Sequence, residues 1–299
     1  MNNSVTLYLT TILVWGTSWF AIRFQLGVVE PEVSLVYRFG LASIVLIIYC
    51  LLSGKSLSLN RSEHLFVAAQ GLFLFCLNYL IFYIATPMIA SGLIAVIFSS
   101  VILMNMFNAS IFLNRPVDRL VLLGALLGLT GITLVFWPEI VGEESSSETV
   151  IGLVLSVIAT YFASLGNILS ARNQSAGLGV IQTNALGMGY GALMMLVYAF
   201  FLQRPFDFDL SVAYVGSLLY LSLFASIIAF GAYLTLIGRI GADRAAYATV
   251  LFPIVALAIS SVFEDFRWTA LSVGGVACVL FGNLLVTGLP DKKRRQARS

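Results

Sequence analysis

The sequence predicts an all-α, polytopic membrane protein of ten transmembrane helices, arranged as two inverted five-helix repeats around a central cavity. Three observations predict it. Of 299 residues, 60% are apolar and only 10% charged, where an ordinary soluble domain carries roughly 25% charge. The apolar residues gather into ten runs of about the length that crosses a bilayer. The two halves of the chain also repeat one another's glycine spacing.

The runs are Val5–Ile22, Val33–Leu52, Leu65–Thr86, Met88–Phe112, Leu120–Trp137, Val150–Ser170, Val180–Leu202, Val212–Ile237, Ala245–Val262 and Trp268–Leu289. No Lys or Arg precedes the first, which is too long for a signal-peptide core and counts as a span. The weakest separation is Thr86-Pro87, where a proline without charged neighbours must make the turn. Merging the third and fourth runs would give about 47 residues, far more than one crossing needs. Cys50, Cys76 and Cys278 all fall inside runs and read as small packing residues.

Charge sets the orientation. With a cytoplasmic N-terminus, the inner loops and tail hold Lys55, Arg61, Arg115, Arg119, Arg172, Arg239, Arg244 and the cluster from Lys292 to Arg298. Outside remain Arg23, Arg204 and Arg267, among acidic residues such as Glu30, Glu32, Glu144 and Glu264. That bias places both termini in the cytoplasm and demands an even number of spans. The expected location is the inner (cytoplasmic) membrane.

The repeat is visible in spacing. Gly124 and Gly131 in the fifth run are matched by Gly275 and Gly282 in the tenth, about 151 positions later. Each pair lies on one helix face where another backbone can approach closely. Trp19 to Arg23 corresponds to Ile168 to Arg172, and Ser99 to Ile102 corresponds to Phe252 to Val255. Five spans per half is an odd number, so the second copy enters the membrane from the opposite side. The expected division is 1–138 for the first repeat, 139–149 for an external acidic linker, 150–289 for the second repeat and 290–299 for a basic cytoplasmic tail.

No Asp or Glu falls in the middle of a run, and an ionisable group there is costly enough to be kept only for function. An exporter that trades protons for cationic drugs needs such a carboxylate. A neutral or zwitterionic cargo is therefore expected. The polar inventory of the spans is hydroxyl, amide and aromatic, and it nominates Trp15, Ser18, Asn78, Tyr79, Tyr83, Ser99, Tyr161 and Ser164 as substrate-binding residues. Trp15, Ser18 and Trp19 share one helix face, as do Tyr79 and Tyr83. Trp19, Trp137, Tyr8, Tyr198 and Tyr214 read as interfacial belt anchors, and Asn105 and Asn108 as interhelical packing.

Arg38 is the one basic residue set inside an apolar run, where it either snorkels to the outer interface or faces an outer vestibule and attracts a substrate carboxylate. Pro253, Gly238 and Gly241 are candidate hinges. His64 has no partners at metal-ligand spacing, so no metal is expected. No nucleophile and base pair, no cofactor motif and no nucleic-acid surface stands out, so an enzyme is not expected.

Val14-Trp15-Gly16-Thr17-Ser18-Trp19-Phe20, the glycine-punctuated fifth and tenth spans and the twofold repeat resemble the drug/metabolite transporter superfamily. More narrowly the chain resembles the ten-helix EamA-type transporters and, among them, the YddG-type amino-acid exporters. The resemblance implies a basket in which spans one, three, four, six, eight and nine enclose the cavity while five and ten brace it outside. It implies export of amino acids, aromatic ones included, by a monomer or weak homodimer in the lipid bilayer. A second reading keeps the carrier and makes drugs or other metabolites the cargo. The Gly-Glu that such proteins often carry after the fourth span is absent here, where the chain reads Phe112-Leu113-Asn114-Arg115; after the ninth it reads Phe263-Glu264-Asp265-Phe266.

Overall fold

A computed structural model describes residues 4–113, 119–141, 147–240, 247–264 and 266–287. With water excluded, a single apolar run satisfies its own backbone hydrogen bonds by coiling into a helix, and each run holds a helix among its described residues. The helices are α1 (Ser4–Arg23), α2 (Pro31–Leu52), α3 (Arg61–Ala85) and α4, which is Ser91–Ser99 followed past Ser100 by Val101–Leu113. They continue as α5 (Arg119–Val141), α6 (Ser147–Ser175), α7 (Val180–Phe201) and α8, made of Val212–Leu219, Tyr220–Ala229 and Phe230–Ile240. The last two are α9 (Tyr247–Phe263) and α10 (Ala270–Thr287). Seven of these are long and apolar enough to cross a membrane, and the shorter apolar stretches Leu126–Val135, Leu251–Phe263 and Ala270–Gly282 lie in α5, α9 and α10.

Local chemistry fixes the ends. Pro31 opens α2, where its missing N–H costs nothing. Asn60 and Glu63 form a reciprocal capping box at the start of α3: the Glu63 amide donates to Asn60 Oδ1 at 2.9 Å, and the Asn60 amide donates to Glu63 Oε2 at 2.7 Å. The helix ends at Ala85, and the chain turns through Thr86, Pro87 and Met88 before α4. The third and fourth runs are thus two helices.

Two helices contain π-helical turns, Leu72–Leu77 in α3 and Tyr220–Ala229 in α8. They fall at corresponding places in the two halves. Nothing in the hydropathy pattern announces them, since a π turn adds a residue to the turn without changing which residues are apolar.

Glycine brings the first bracing pair together. A Cβ on Gly131 would sit 2.5 Å from the carbonyl oxygen of Gly275, and one on Gly282 would sit 2.7 Å from that of Gly124. The two glycine faces therefore meet each other within one chain, with α5 and α10 antiparallel. The pair α2 and α7 is antiparallel too: Val33 lies in one cluster with Ala199, and Ser43 Oγ donates to the Ala185 carbonyl at 2.7 Å. Leu9, Leu13, Ile44, Ile48, Leu126 and Leu129 point outward and are exposed, which suits a hydrocarbon solvent rather than water.

Helices α1, α4 and α9 are joined at the end that the charge bias places outside. Gly16 lies under Val255, and Gly92 lies against Leu257. The Glu264 side chain, 1% exposed, pairs with Arg23 and accepts hydrogen bonds from the Ser91 amide at 3.1 Å, from Ser91 Oγ at 2.7 Å and from Ser260 Oγ. Arg23 is 40% exposed, so the ion pair is solvent-screened and adds little. The hydrogen bonds carry the joint. Glu264→Ala is expected to lower unfolding stability by about 3 kcal/mol, from three hydrogen bonds worth about 1 kcal/mol each. Tryptophan fluorescence during thermal unfolding in detergent reads it; an unchanged midpoint would show that the joint is not held by Glu264.

Candidate functional site

The centre of the bundle holds a cavity of about 30 Å³. Its lining comes from α1 (Trp15, Ser18, Trp19, Ile22), α2 (Arg38), α3 (Leu74, Asn78, Tyr79, Phe82), α4 (Phe98), α8 (Phe230) and α9 (Phe252). That volume holds about two waters, far below the several hundred Å³ of a ligand site. The chamber is narrow. The lining also departs from the enclosure expected for it, because α2 reaches the cavity through Arg38 and α6 contributes no lining residue.

Aromatic rings make the walls. Trp15 meets Phe230 edge-on at 5.0 Å between centroids and lies 5.1 Å from Tyr233. Trp19 is edge-on to Phe82 at 5.0 Å and stacks over Phe252 at 6.3 Å, with Phe98 at 5.3 Å. These are the offset and T-shaped arrangements that ring quadrupoles favour. Trp19 is 8% exposed and so is a wall residue rather than the belt anchor expected. Tyr214 is also inside, its hydroxyl 3.0 Å from Ser34 Oγ. Trp137 and Tyr198 are exposed on the outer surface.

Arg38 does not snorkel. Its side chain turns inward and the residue is 1% exposed. Nε donates to Ser226 Oγ at 3.3 Å and Nη1 to the Tyr83 hydroxyl at 3.4 Å. The guanidinium carbon lies 4.4 Å from the Tyr79 ring centroid and 5.0 Å from that of Phe39. Only neutral hydroxyls and rings answer the guanidinium, and no ion pair joins Arg38 to a carboxylate among the described residues. Glu32, on the same helix, is turned to Arg204 at 3.6 Å. The chamber expected to be uncharged therefore contains one cation. The rings and hydroxyls reward inward placement by cation–π attraction and hydrogen bonding, which hydropathy along a single helix does not register.

Asn78 follows directly on the π-helical turns of α3 and is 2% exposed. Its Nδ2 makes a long hydrogen bond to the Ala159 carbonyl at 3.4 Å, while Oδ1 has no partner. A buried amide oxygen without a donor costs about 1–3 kcal/mol, so it is positioned to receive one. The π segment of α8 plays a matching part. Its Ala225 carbonyl accepts from Trp15 Nε1 at 3.3 Å, and its Ser226 accepts from Arg38.

Of the residues nominated by sequence, Trp15, Ser18, Arg38, Asn78 and Tyr79 are brought together, with Tyr83 just behind Arg38. The other three lie elsewhere. Ser99 is buried next to the break in α4, where its hydroxyl donates to the Val96 carbonyl at 2.6 Å. Tyr161 is 43% exposed on the outer face of α6. Ser164 accepts from Asn108 Nδ2 at 2.8 Å in an α4–α6 packing contact, beside Asn167 and Asn105 at 3.4 Å. The polar face of α6 thus binds helix to helix. Among the expected hinges, Pro253 is buried in α9 next to Phe252, Gly238 lies near the end of α8, and Gly241 lies outside the described residues. His64 Nδ1 is 2.6 Å from the Tyr190 hydroxyl.

Phe82, Phe98, Phe230 and Phe252 were not legible as site residues. The chain has 22 phenylalanines, and no local feature separates a ring facing a cavity from one facing lipid. For Trp19 the signal was present, since it shares a face with Trp15 and Ser18.

Comparison with known proteins gives a consistent picture. The EamA-like transporter family matches residues 2–137 and again residues 141–288. Protein PagO of Salmonella typhimurium is 25% identical, covering 96% of this chain and 95% of its own. A protein of Escherichia coli named "Probable amino-acid metabolite efflux pump" is 23% identical over 92% of each. A protein solved by crystallography superposes with a TM-score of 0.70 at 17% identity, over 99% of both chains; that likeness speaks to fold alone.

Proposed function

Since the chain belongs to the EamA-like transporter family, we propose that it exports small neutral or zwitterionic metabolites, foremost amino acids with apolar or aromatic side chains, across the inner membrane. The observation that carries the reading is one buried guanidinium in a narrow, ring-walled chamber that an unpartnered amide oxygen also lines. A substrate carboxylate pairs with Arg38, an ammonium is received by Asn78 Oδ1, and a side chain lies between Trp15, Trp19 and the phenylalanines. The relative named as an amino-acid metabolite efflux pump supports this choice of cargo.

Transport proceeds by alternating access of two inverted repeats, both termini being cytoplasmic. Antiparallel packing of α5 on α10 and of α2 on α7 supports the inversion, because each helix then lies against its own upside-down counterpart. With both glycine faces used within the chain, the carrier works as a monomer. No catalytic step is involved. Export of cationic drugs is disfavoured, since a resident cation repels them and no carboxylate lines the cavity among the described residues.

The test is uptake into proteoliposomes presented with a mixed metabolite panel. Saturable uptake of labelled neutral amino acids is expected, and Asn78→Ala and Tyr79→Ala should each lower it about tenfold, the worth of one lost hydrogen bond or ring contact of about 1.4 kcal/mol, in protein that remains folded. Full transport in both variants would remove those residues from the site. Extrusion of a cationic dye only under a proton gradient, with no amino-acid flux, would hand the function to drug export.

A further inference from the structure

The charge balance of the chamber reaches past amino acids in general. Arg38 is a permanent cation, 1% exposed, with two long hydrogen bonds and no ion pair among the described residues. No compensating carboxylate lines the cavity among the described residues: its other polar groups are Ser18, Asn78, Tyr79 and the two indoles, all neutral. A zwitterion that enters this space pairs its carboxylate with the guanidinium but brings a second cation. The pair of charges it adds sums to zero, so the loaded chamber remains at +1 among mostly apolar walls. A monocarboxylate without an amine leaves it at zero. Burial of an uncompensated charge is the dominant cost in such a space, and the wall of seven aromatic side chains suits a flat apolar body.

We infer that the carrier's better cargo is an aryl monocarboxylate anion, the deaminated counterpart of an aromatic amino acid, and that its export is electrogenic. The inference rests on the exporter reading given above and names the charge class that the same chamber prefers. Arg38 stays with the protein, so each outward trip moves one negative charge. An inside-negative potential then drives efflux without any proton or sodium ion, at about tenfold in concentration ratio per 59 mV. A potential of 100 mV sustains a ratio of about 50-fold. This accounts for a chamber that has no described carboxylate to carry a coupling proton.

Asn78 tunes the choice. Its unpartnered Oδ1 is the acceptor available to an ammonium, and it is neutral. Converting it to a carboxylate gives the chamber a net charge of zero before loading, so Asn78→Asp should reverse the preference toward the zwitterion.

The experiment uses the full chain in proteoliposomes, with empty vesicles subtracted for passive leakage. Exchange of labelled phenylalanine is competed by 3-phenylpropanoate or by phenethylamine, and net charge movement is followed with a potential-sensitive dye under valinomycin-set potassium gradients. Expected are at least tenfold stronger competition by 3-phenylpropanoate than by unlabelled phenylalanine, none by phenethylamine, and a 3-phenylpropanoate distribution that shifts about tenfold per 59 mV. Asn78→Asp should place phenylalanine ahead. If phenylalanine exchanges but 3-phenylpropanoate competes no better than phenylalanine, or its distribution ignores the potential, the inference is overturned while the exporter reading stands. If none of the three compounds is carried, both fall together.

Discussion

Replacing Arg38 by glutamine is expected to weaken binding of a carboxylate-bearing solute about 100-fold while leaving the protein as stable as before or more so. Both halves of that expectation follow from the same burial. A hydrogen bond to a charged group contributes about 1.5–3 kcal/mol, and loss of the upper figure is about a factor of 100 in affinity. Against this, taking a cation out of water still costs several kcal/mol after relaxation, and no described carboxylate offsets it here. Glutamine keeps a donor for Ser226 and Tyr83 and removes the charge. An arginine present only to hold α2 to α3 and α8 would behave the opposite way, with stability falling and affinity following it. Thermal unfolding and competition binding on one preparation separate the two. A clear fall in unfolding midpoint with unchanged affinity would take Arg38 out of the binding site.

The second large effect lies far from the chamber. Gly131→Leu is expected to cost about 3 kcal/mol of stability, at the upper end of what overpacking causes in a well-filled interior, and to cut the yield of folded protein from membranes. The Cβ alone would sit 2.5 Å from the Gly275 carbonyl oxygen, 2.7 Å from Val279 Cγ2 and 2.8 Å from the Val279 amide nitrogen. Two of these three are backbone atoms that cannot swing aside, so α5 and α10 must separate. Gly275→Leu meets Gly131 and Val135 in the same way and should match it. Gly274, one position away, has nothing within 4 Å of a Cβ, and Gly274→Ala serves as the control that should leave the midpoint unchanged or slightly raised. Equal tolerance of Gly131→Leu and Gly274→Ala would mean that α5 and α10 do not pack through their glycines.

The two predictions differ in how far the sequence leads toward them. For the bracing helices it leads nearly all the way. Gly124 and Gly131, with Gly275 and Gly282, mark close-approach faces by spacing alone, and structure adds only that the faces meet each other. The division into ten helices is equally local, since length, apolarity and the Thr86-Pro87 turn are properties of the chain by itself. For the chamber the sequence leads part of the way. Trp15, Ser18, Asn78 and Tyr79 announce themselves because polar and aromatic groups in an apolar run are few.

What the chain by itself determines is therefore the number of helices, their lengths, the glycine faces and a short set of intramembrane polar groups, because hydrophobic length and residue spacing act within one helix at a time. Only the tertiary structure decides that Arg38 turns inward to Tyr79, Tyr83 and Ser226, that four phenylalanines and Trp19 wall the cavity, and that Tyr161 and Ser164 do not reach it. Each of those is set by the rotation of one helix against another, and by the π turns in α3 and α8 that reset that rotation midway. In a solvent as apolar as the side chains, that rotation is chosen by packing and polar partners on other helices, and a single run of residues carries no record of them.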